Sequence, residues 1–152
     1  MAAYSANAVG NSFLALAVEQ GRSLTNMQVQ KLVFLAHGYM LGLFDEPLYA
    51  NDTHAWQWGP VIPRLYKAMQ KFGSGFVTGN LPAEDSVPAT DEKAWSVIKA
   101  VWEGYGHRSG AELSAITHKS GSPWEQAWRT AKFSVIPQES IADYYRSMVS
   151  AA

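Results

Sequence analysis

The feature that most constrains the fold is an apolar stretch between residues 25 and 43. Thr25 and Gln28 have the spacing of a capping box, in which each side chain bonds to the backbone of the other. The helix that starts there has a buried face made of Val29, Leu32, Val33, Ala36, Met40 and Leu43. Gly38 and Gly42 lie four residues apart on one side of it, where each costs about 1 kcal/mol relative to Ala. Close approach of another backbone would explain these glycines, so we expect this helix to be central.

Further helix starts are marked by capping residues or by Pro at the first helical position. They are Ser5, Pro63, Thr90 or Asp91, Ser109, Ser122 and Pro137. The chain has the length of about one domain and contains no internal repeat or linker-like segment. These observations predict a mainly α, compact single-domain fold of about six or seven helices over residues 1–152.

A small β element is predicted near residues 54–58, where His54 to Trp58 alternates between polar and apolar side chains. Gly59 and Pro60 are typical of a turn and should end that strand. Residues 74–90 contain several Gly and Pro residues but few periodic apolar positions. They are predicted to form a long loop, or to contain a short hairpin.

Composition excludes several classes of function. The chain has 12 basic and 13 acidic residues and a net charge of −1, unlike the strongly basic balance of nucleic-acid-binding domains. No stretch approaches the ~20 apolar residues of a membrane helix. The first basic residue, Arg22, follows the N-terminal apolar run, whereas a signal peptide carries its positive charge before that run. With no Cys in the chain, these features predict a cytoplasmic protein.

Catalytic and metal-binding patterns are weak. The four histidines lack the paired spacing of metal ligands, so no metal site is predicted. Ser114 and His118 are four residues apart on one short helix, which leaves a small hydrolase with a Ser/His site around His118 as the alternative function. That alternative also allows His37 as the partner of His118. No orienting acid or oxyanion hole is identifiable, so we expect His118 to cap the helix and the chain not to be an enzyme.

Aromatic residues are the chain's most unusual feature, with six Trp and seven Tyr. Helical spacing places Trp95 with Trp102, and Trp124 with Trp128, in the core. Trp56 and Trp58 would share one face of the short strand, and Trp is a favoured anchor of protein interfaces. The following helix carries a basic stripe, formed by Arg64, Lys67 and Lys71.

Several blocks of residues, taken together, resemble the Panacea domain of SocA-like antitoxins, also called the phage-associated GepA-like family. The first block is Thr25-x-Met27-x-x-Gln30-Lys31-Leu32-x-Phe34-x-Ala36-x-Gly38, followed by Pro47-Leu48. The second is Ala55-Trp56-x-x-Gly59-Pro60-Val61-x-Pro63-x-Leu65-Tyr66. The later blocks are Val101-Trp102-x-x-Tyr105-Gly106, Leu113-Ser114, Thr117-His118 and Ser122-Pro123-Trp124-x-x-Ala127. The resemblance extends over nearly the full chain.

The resemblance implies a protein-binding module rather than an enzyme. Panacea domains neutralise protein toxins by direct contact, and a SocA-like member can also act as an adaptor that delivers its toxin to an ATP-dependent protease. The expected partners are therefore a cognate toxin and such a protease, with no cofactor, nucleic acid or membrane. The predicted partner-binding residues are Trp56, Trp58, Arg64 and Tyr66, joined by His118 from the adjoining segment.

Overall fold

The computed structural model describes residues 3–151, and within them the chain is mainly α, as predicted. Its helices are α1 (Ala6–Glu19), α2 (Asn26–Phe44), α3 (Pro63–Met69), α4 (Glu92–Tyr105), α5 (Gly110–Thr117), α6 (Pro123–Thr130) and α7 (Gln138–Ala151). Its strands are β1 (Leu24–Thr25), β2 (His54–Trp56), β3 (Gly59–Val61) and β4 (Phe76–Val77). None of these helices combines the length and the apolar character needed to cross a bilayer.

Two of the predicted helix starts are confirmed by capping boxes. The side chain of Thr25 accepts a bond from the Gln28 backbone N–H, and the side chain of Gln28 accepts one from the Thr25 backbone N–H, which closes the capping box of α2. Ser109 and Glu112 close a second box at α5. Each box satisfies backbone N–H groups that a helix start otherwise leaves unpaired.

Helix α2 is central, because α1, α4, α5 and α7 all pack against it. A Cβ at Gly42 would lie 2.7 Å from the backbone carbonyl carbon of Tyr145 in α7. A Cβ at Gly38 would lie 2.5 Å from the ring of the same tyrosine. The predicted close approach of another backbone is therefore confirmed at Gly42, whereas the near neighbour of Gly38 is a side-chain ring. The prediction that Leu43 is buried is wrong, since the last turn of α2 emerges from the core and Phe44 is exposed beside it.

Adding a single methyl group at Gly42 should separate α2 from α7. We expect Gly42→Ala to lower the free energy of unfolding by about 1–3 kcal/mol, because the clashing neighbour is backbone and cannot rotate away. Gly104→Ala is the matched control, since no atom lies within 4 Å of a Cβ at that helical position. It should stabilise the protein by about 0.5–1 kcal/mol. Urea denaturation measures both, and equal stabilities of the two variants would contradict the packing described here.

The β element differs from the prediction in one respect. Strand β2 ends at Trp56, Gln57 and Trp58 form the turn, and Gly59 and Pro60 belong to β3 rather than to a turn. The two strands pair antiparallel, with Trp56 opposite Gly59. Trp56 and Trp58 therefore do not share one face of a strand, and Trp58 stands at the tip of a hairpin.

Residues 74–90 do not form a hairpin of their own. Strand β4 in this segment pairs with β1, which places Val77 opposite Leu24. Farther along, the side-chain amide of Asn11 donates to the Leu81 carbonyl at 3.0 Å and accepts from the Leu81 N–H at 2.7 Å. The segment is thus held in place by contacts with residues distant in sequence, which local periodicity cannot indicate.

The paired tryptophans outside the hairpin pack as predicted in the core region. Trp102 and Trp124 are buried, whereas Trp95 and Trp128 are partly buried and pack against the core. Trp124 and Trp128 stack with their ring centroids 5.5 Å apart. This stack stands behind the β2–β3 hairpin, because the indole Nε1 of Trp124 donates to the carbonyl of Trp56 at 2.6 Å.

Candidate functional site

A groove of about 620 Å³ opens between the first turn of α2, the β2–β3 hairpin and α3. We call it the aromatic groove and define it by six of its lining residues, which are Met27, Lys31, Trp56, Trp58, Tyr66 and Phe133. Its size and its mainly apolar lining are those of a binding site. It brings together three of the five residues that the sequence predicts for partner binding.

The tryptophans of the hairpin are held in place through their backbone. The carbonyl of Trp56 accepts from Trp124, and the carbonyl of Trp58 accepts from the hydroxyl of Ser114 at 2.5 Å. The ring of Trp56 meets that of Tyr66 edge to face, with a centroid distance of 5.1 Å. These contacts fix the hairpin from both sides, so the groove exists before any partner arrives.

Exposed apolar side chains are concentrated at the rim of the groove. Trp58 is 60% exposed, Phe133 57% and Met27 37%. Single exposed apolar residues are common, but three around one concave surface indicate an interaction site. Phe133 also has a φ of +64°, which a bulky L residue rarely adopts. Its backbone N–H donates to the Ala55 carbonyl at 3.0 Å, which holds this conformation beside the hairpin.

The floor of the groove contains a buried charge. Lys31 is only 2% exposed, and its Nζ donates to the carbonyl of Pro60 at 2.7 Å. Among residues 3–151, no carboxylate oxygen lies within 4.0 Å of this Nζ. Burial lowers the pKa of Lys31 to about 7. The absence of a side chain at Gly59 leaves room for the ammonium, since a Cβ there would be 3.3 Å from Nζ.

The remaining two predicted site residues lie outside the groove lining. Arg64 and Lys67 are exposed on α3, and Lys71 is exposed in the 3-10 turn Gln70–Phe72 that follows it, so the basic stripe faces solvent. His118 packs its ring edge against Trp124 with a centroid distance of 5.2 Å. Arg64 and His118 thus lie on elements beside the groove, but neither side chain lines it.

The Ser114 and His118 pair has a geometry suited to structure rather than to nucleophilic catalysis. The hydroxyl of Ser114 already donates to Trp58, and His118 Nδ1 donates to the backbone carbonyl of Ser114. Nδ1 therefore carries the proton. A protonated nitrogen cannot act as the general base for the Ser114 hydroxyl, which lies 3.3 Å from it. His37 contacts other residues, since its Nδ1 accepts from the backbone N–H groups of Leu48 and Tyr49.

Metal binding receives no support from the arrangement of side chains. In the part of the chain that the structure describes, no three His, Asp or Glu residues come together as a possible ligand set. The described residues that line the groove include amides, hydroxyls and one ammonium but no His, Asp or Glu.

Comparison with known proteins places these residues in context. The model of a family described as "Antitoxin SocA-like, Panacea domain" matches residues 29–125. A curated protein named Antitoxin SocA, from Caulobacter vibrioides, is 30% identical over 128 residues, which cover 79% of this chain and 68% of that protein. No solved structure matches the chain. The matched range includes Lys31, Trp56, Trp58 and Tyr66, while Met27 and Phe133 lie outside it.

Proposed function

Because the chain belongs to the SocA-like antitoxin family with a Panacea domain, we propose that it binds a cognate protein toxin and neutralises it by direct contact. The aromatic groove is the proposed contact surface. The observation that supports it is the convergence of exposed Met27, Trp58 and Phe133 on a preformed concave site. Aromatic anchors in such sites supply most of the binding energy of many protein interfaces.

The proposed action requires no chemistry from the chain. Family membership favours a non-enzymatic role, and the hydrogen bonds of Ser114 and His118 are consistent with it. We propose that the whole chain acts as one Panacea domain in the cytoplasm, without a cofactor. Arg64 and His118 are proposed as peripheral contacts, because they flank the groove without lining it.

Delivery of the toxin to an ATP-dependent protease is a finer part of the same proposal. An adaptor must hold its cargo and the protease at the same time, so it needs two separate surfaces. Lys67 on α3 and Lys71 in the turn that follows it are exposed and do not line the groove, so we propose them as the second surface. In cells, the half-life of the toxin should shorten when the chain is present and lengthen again when the protease is removed.

Replacing Trp58 should weaken toxin binding without harming the fold. We expect Trp58→Ala to raise the Kd of the toxin complex about 30-fold, the ~2 kcal/mol expected for an interface anchor. Its effect on stability should stay within about 1 kcal/mol, since the side chain is mostly exposed. The toxin to use is the product of the reading frame next to this one in the source genome. Titration calorimetry gives the Kd of its complexes with the wild type and with Trp58→Ala.

Val18→Ala is the matched control for this measurement. Val18 is an apolar residue of α1 that is 75% exposed and does not line the groove. It should leave the Kd unchanged. If Trp58→Ala and Val18→Ala bind the toxin equally well, the groove is not the contact surface.

A further inference from the structure

The aromatic groove contains one cation whose environment is incomplete. An ammonium has three N–H donors, and Lys31 uses one of them on the Pro60 carbonyl. The neighbouring amide of Gln30 cannot serve as an acceptor, because its Oε1 takes the Ile62 N–H at 2.9 Å and its Nε2 donates to the Ile62 carbonyl. A buried charge that lacks a partner is costly, and a protein retains one more readily where a ligand supplies the partner.

We propose that the floor of the groove is a carboxylate site, in which Lys31 Nζ binds an Asp or Glu side chain on an apolar segment of the toxin. This inference rests on the proposed function, and it adds the chemistry of the partner. Trp58, Phe133 and Met27 would contact the apolar residues that flank the acid. The toxin segment would therefore combine one acidic residue with aromatic or aliphatic neighbours.

A carboxylate suits this site better than a phosphate. Lys31 is the only charged side chain that lines the groove in the described part of the chain, and the surrounding walls are mainly apolar. A single ammonium can neutralise one carboxylate, whereas phosphate sites generally combine several cations or backbone N–H groups. The net charge of −1 also gives a polyanion no long-range attraction.

The groups that face Lys31 from neighbouring elements leave its charge uncompensated. The Pro60 carbonyl of β3 accepts from its Nζ, and the Tyr66 ring of α3 lines the groove with it. Thr117 and His118 at the end of α5 lie beside Gly59, next to which the ammonium is placed. None of these groups carries a carboxylate. An incoming carboxylate would favour the protonated form of Lys31, so binding at this site takes up a proton wherever the free amine is partly neutral.

Titration of the toxin into the chain tests this coupling. At about pH 8, in two buffers that differ in ionisation enthalpy, the wild type should take up close to one proton per complex. Lys31→Met should take up none and should bind at least about tenfold more weakly, as expected for loss of a buried charge pair. Unchanged affinity and unchanged proton uptake in Lys31→Met would overturn the inference.

A probe that does not need the toxin separates this inference from the proposed function. Hydrocinnamate carries an aromatic ring and a carboxylate, and hydrocinnamamide is its neutral analogue. Hydrocinnamate should shift the indole N–H signals of Trp56 and Trp58 in the full chain, whereas the amide should not, and Lys31→Met should abolish the response. Equal shifts with both compounds, or none with either, would overturn the carboxylate site. Shifts with hydrocinnamate but no binding of any toxin would keep the site and reject the proposed function.

Discussion

Replacing Lys31 with Met will stabilise the folded protein at neutral pH, by about 3 kcal/mol. Burial lowers the pKa of Lys31 to about 7 from its usual 10.5. At pH 7 the unfolded chain therefore holds a proton that about half of the folded molecules lack, and the shift in pKa costs about 4 kcal/mol of folding free energy. Methionine has a similar shape without the charge. It leaves the Pro60 carbonyl without its donor, and this lost hydrogen bond lowers the gain in stability by about 1 kcal/mol.

The same pKa fixes how stability changes with pH. Between pH 7 and 10 the unfolded state binds more protons than the folded state, so the free energy of unfolding should rise with pH. Above about pH 10 the free energy of unfolding should fall with pH. Burial raises the pKa of Tyr49 and Tyr145, so these tyrosines lose their protons in the unfolded state before they do so in the folded state. Lys31→Met should lack the rise between pH 7 and 10.

Urea denaturation at several pH values measures both effects. Lys67→Met is the matched control, since Lys67 is exposed on α3 and should change neither the stability nor its slope with pH. A Lys31→Met variant that is less stable than the wild type at pH 7 would contradict the burial of an unpaired ammonium. Higher stability combined with weaker toxin binding would mean that Lys31 is kept for function at the expense of stability.

Acid should unfold the protein through His37, and this is the second large effect. His37 is buried, stacks on Tyr49 with ring centroids 3.8 Å apart, and accepts two backbone N–H groups through Nδ1. Burial lowers its pKa to about 3 from 6.5. The unfolded state therefore binds the extra proton as the pH falls below 6.5. The free energy of unfolding should drop by about 2 kcal/mol between pH 6.5 and 4.5.

His37→Asn tests the assignment, because an Asn oxygen can accept the same backbone bonds but does not titrate. We expect this variant to lose most of the decline between pH 6.5 and 4.5, although it starts from a lower stability at pH 7. His107→Asn serves as the control, since His107 is exposed. An equally steep decline in His37→Asn and in the wild type would place the acid sensitivity elsewhere.

The helices could be predicted because their signals are local. The capping boxes at Thr25 and Ser109 lie within four residues, and the same residues form them in the structure. The strands could not be predicted as well, because each has two or three residues and depends on a distant partner. Strand β4 is set by β1 across about fifty residues, and the β2–β3 hairpin is supported by the backbone of Phe133 and Ser134.

The site was predictable in part for the same reason. Trp56, Trp58 and Tyr66 are close in sequence and could be grouped, whereas Phe133 reaches the groove only through tertiary contacts and has no periodic signal. Met27 and Lys31 stand within the first block of family residues, but that block assigns them no role. Lys31 lies among the buried apolar residues of α2, and this position could have indicated the floor of the groove. A lysine is almost never fully buried unless it has a partner.

Growth rescue in cells shows whether the aromatic groove neutralises a toxin. The product of the neighbouring reading frame would be expressed with the wild-type chain, with Trp58→Ala or with Val18→Ala, and growth and co-purification would be scored together. We expect a toxic neighbour, with rescue and a stable complex for the wild type and Val18→Ala, and with weaker rescue and less co-purified toxin for Trp58→Ala. Full rescue by Trp58→Ala, or a wild-type chain that neither rescues growth nor co-purifies, would contradict neutralisation through the aromatic groove.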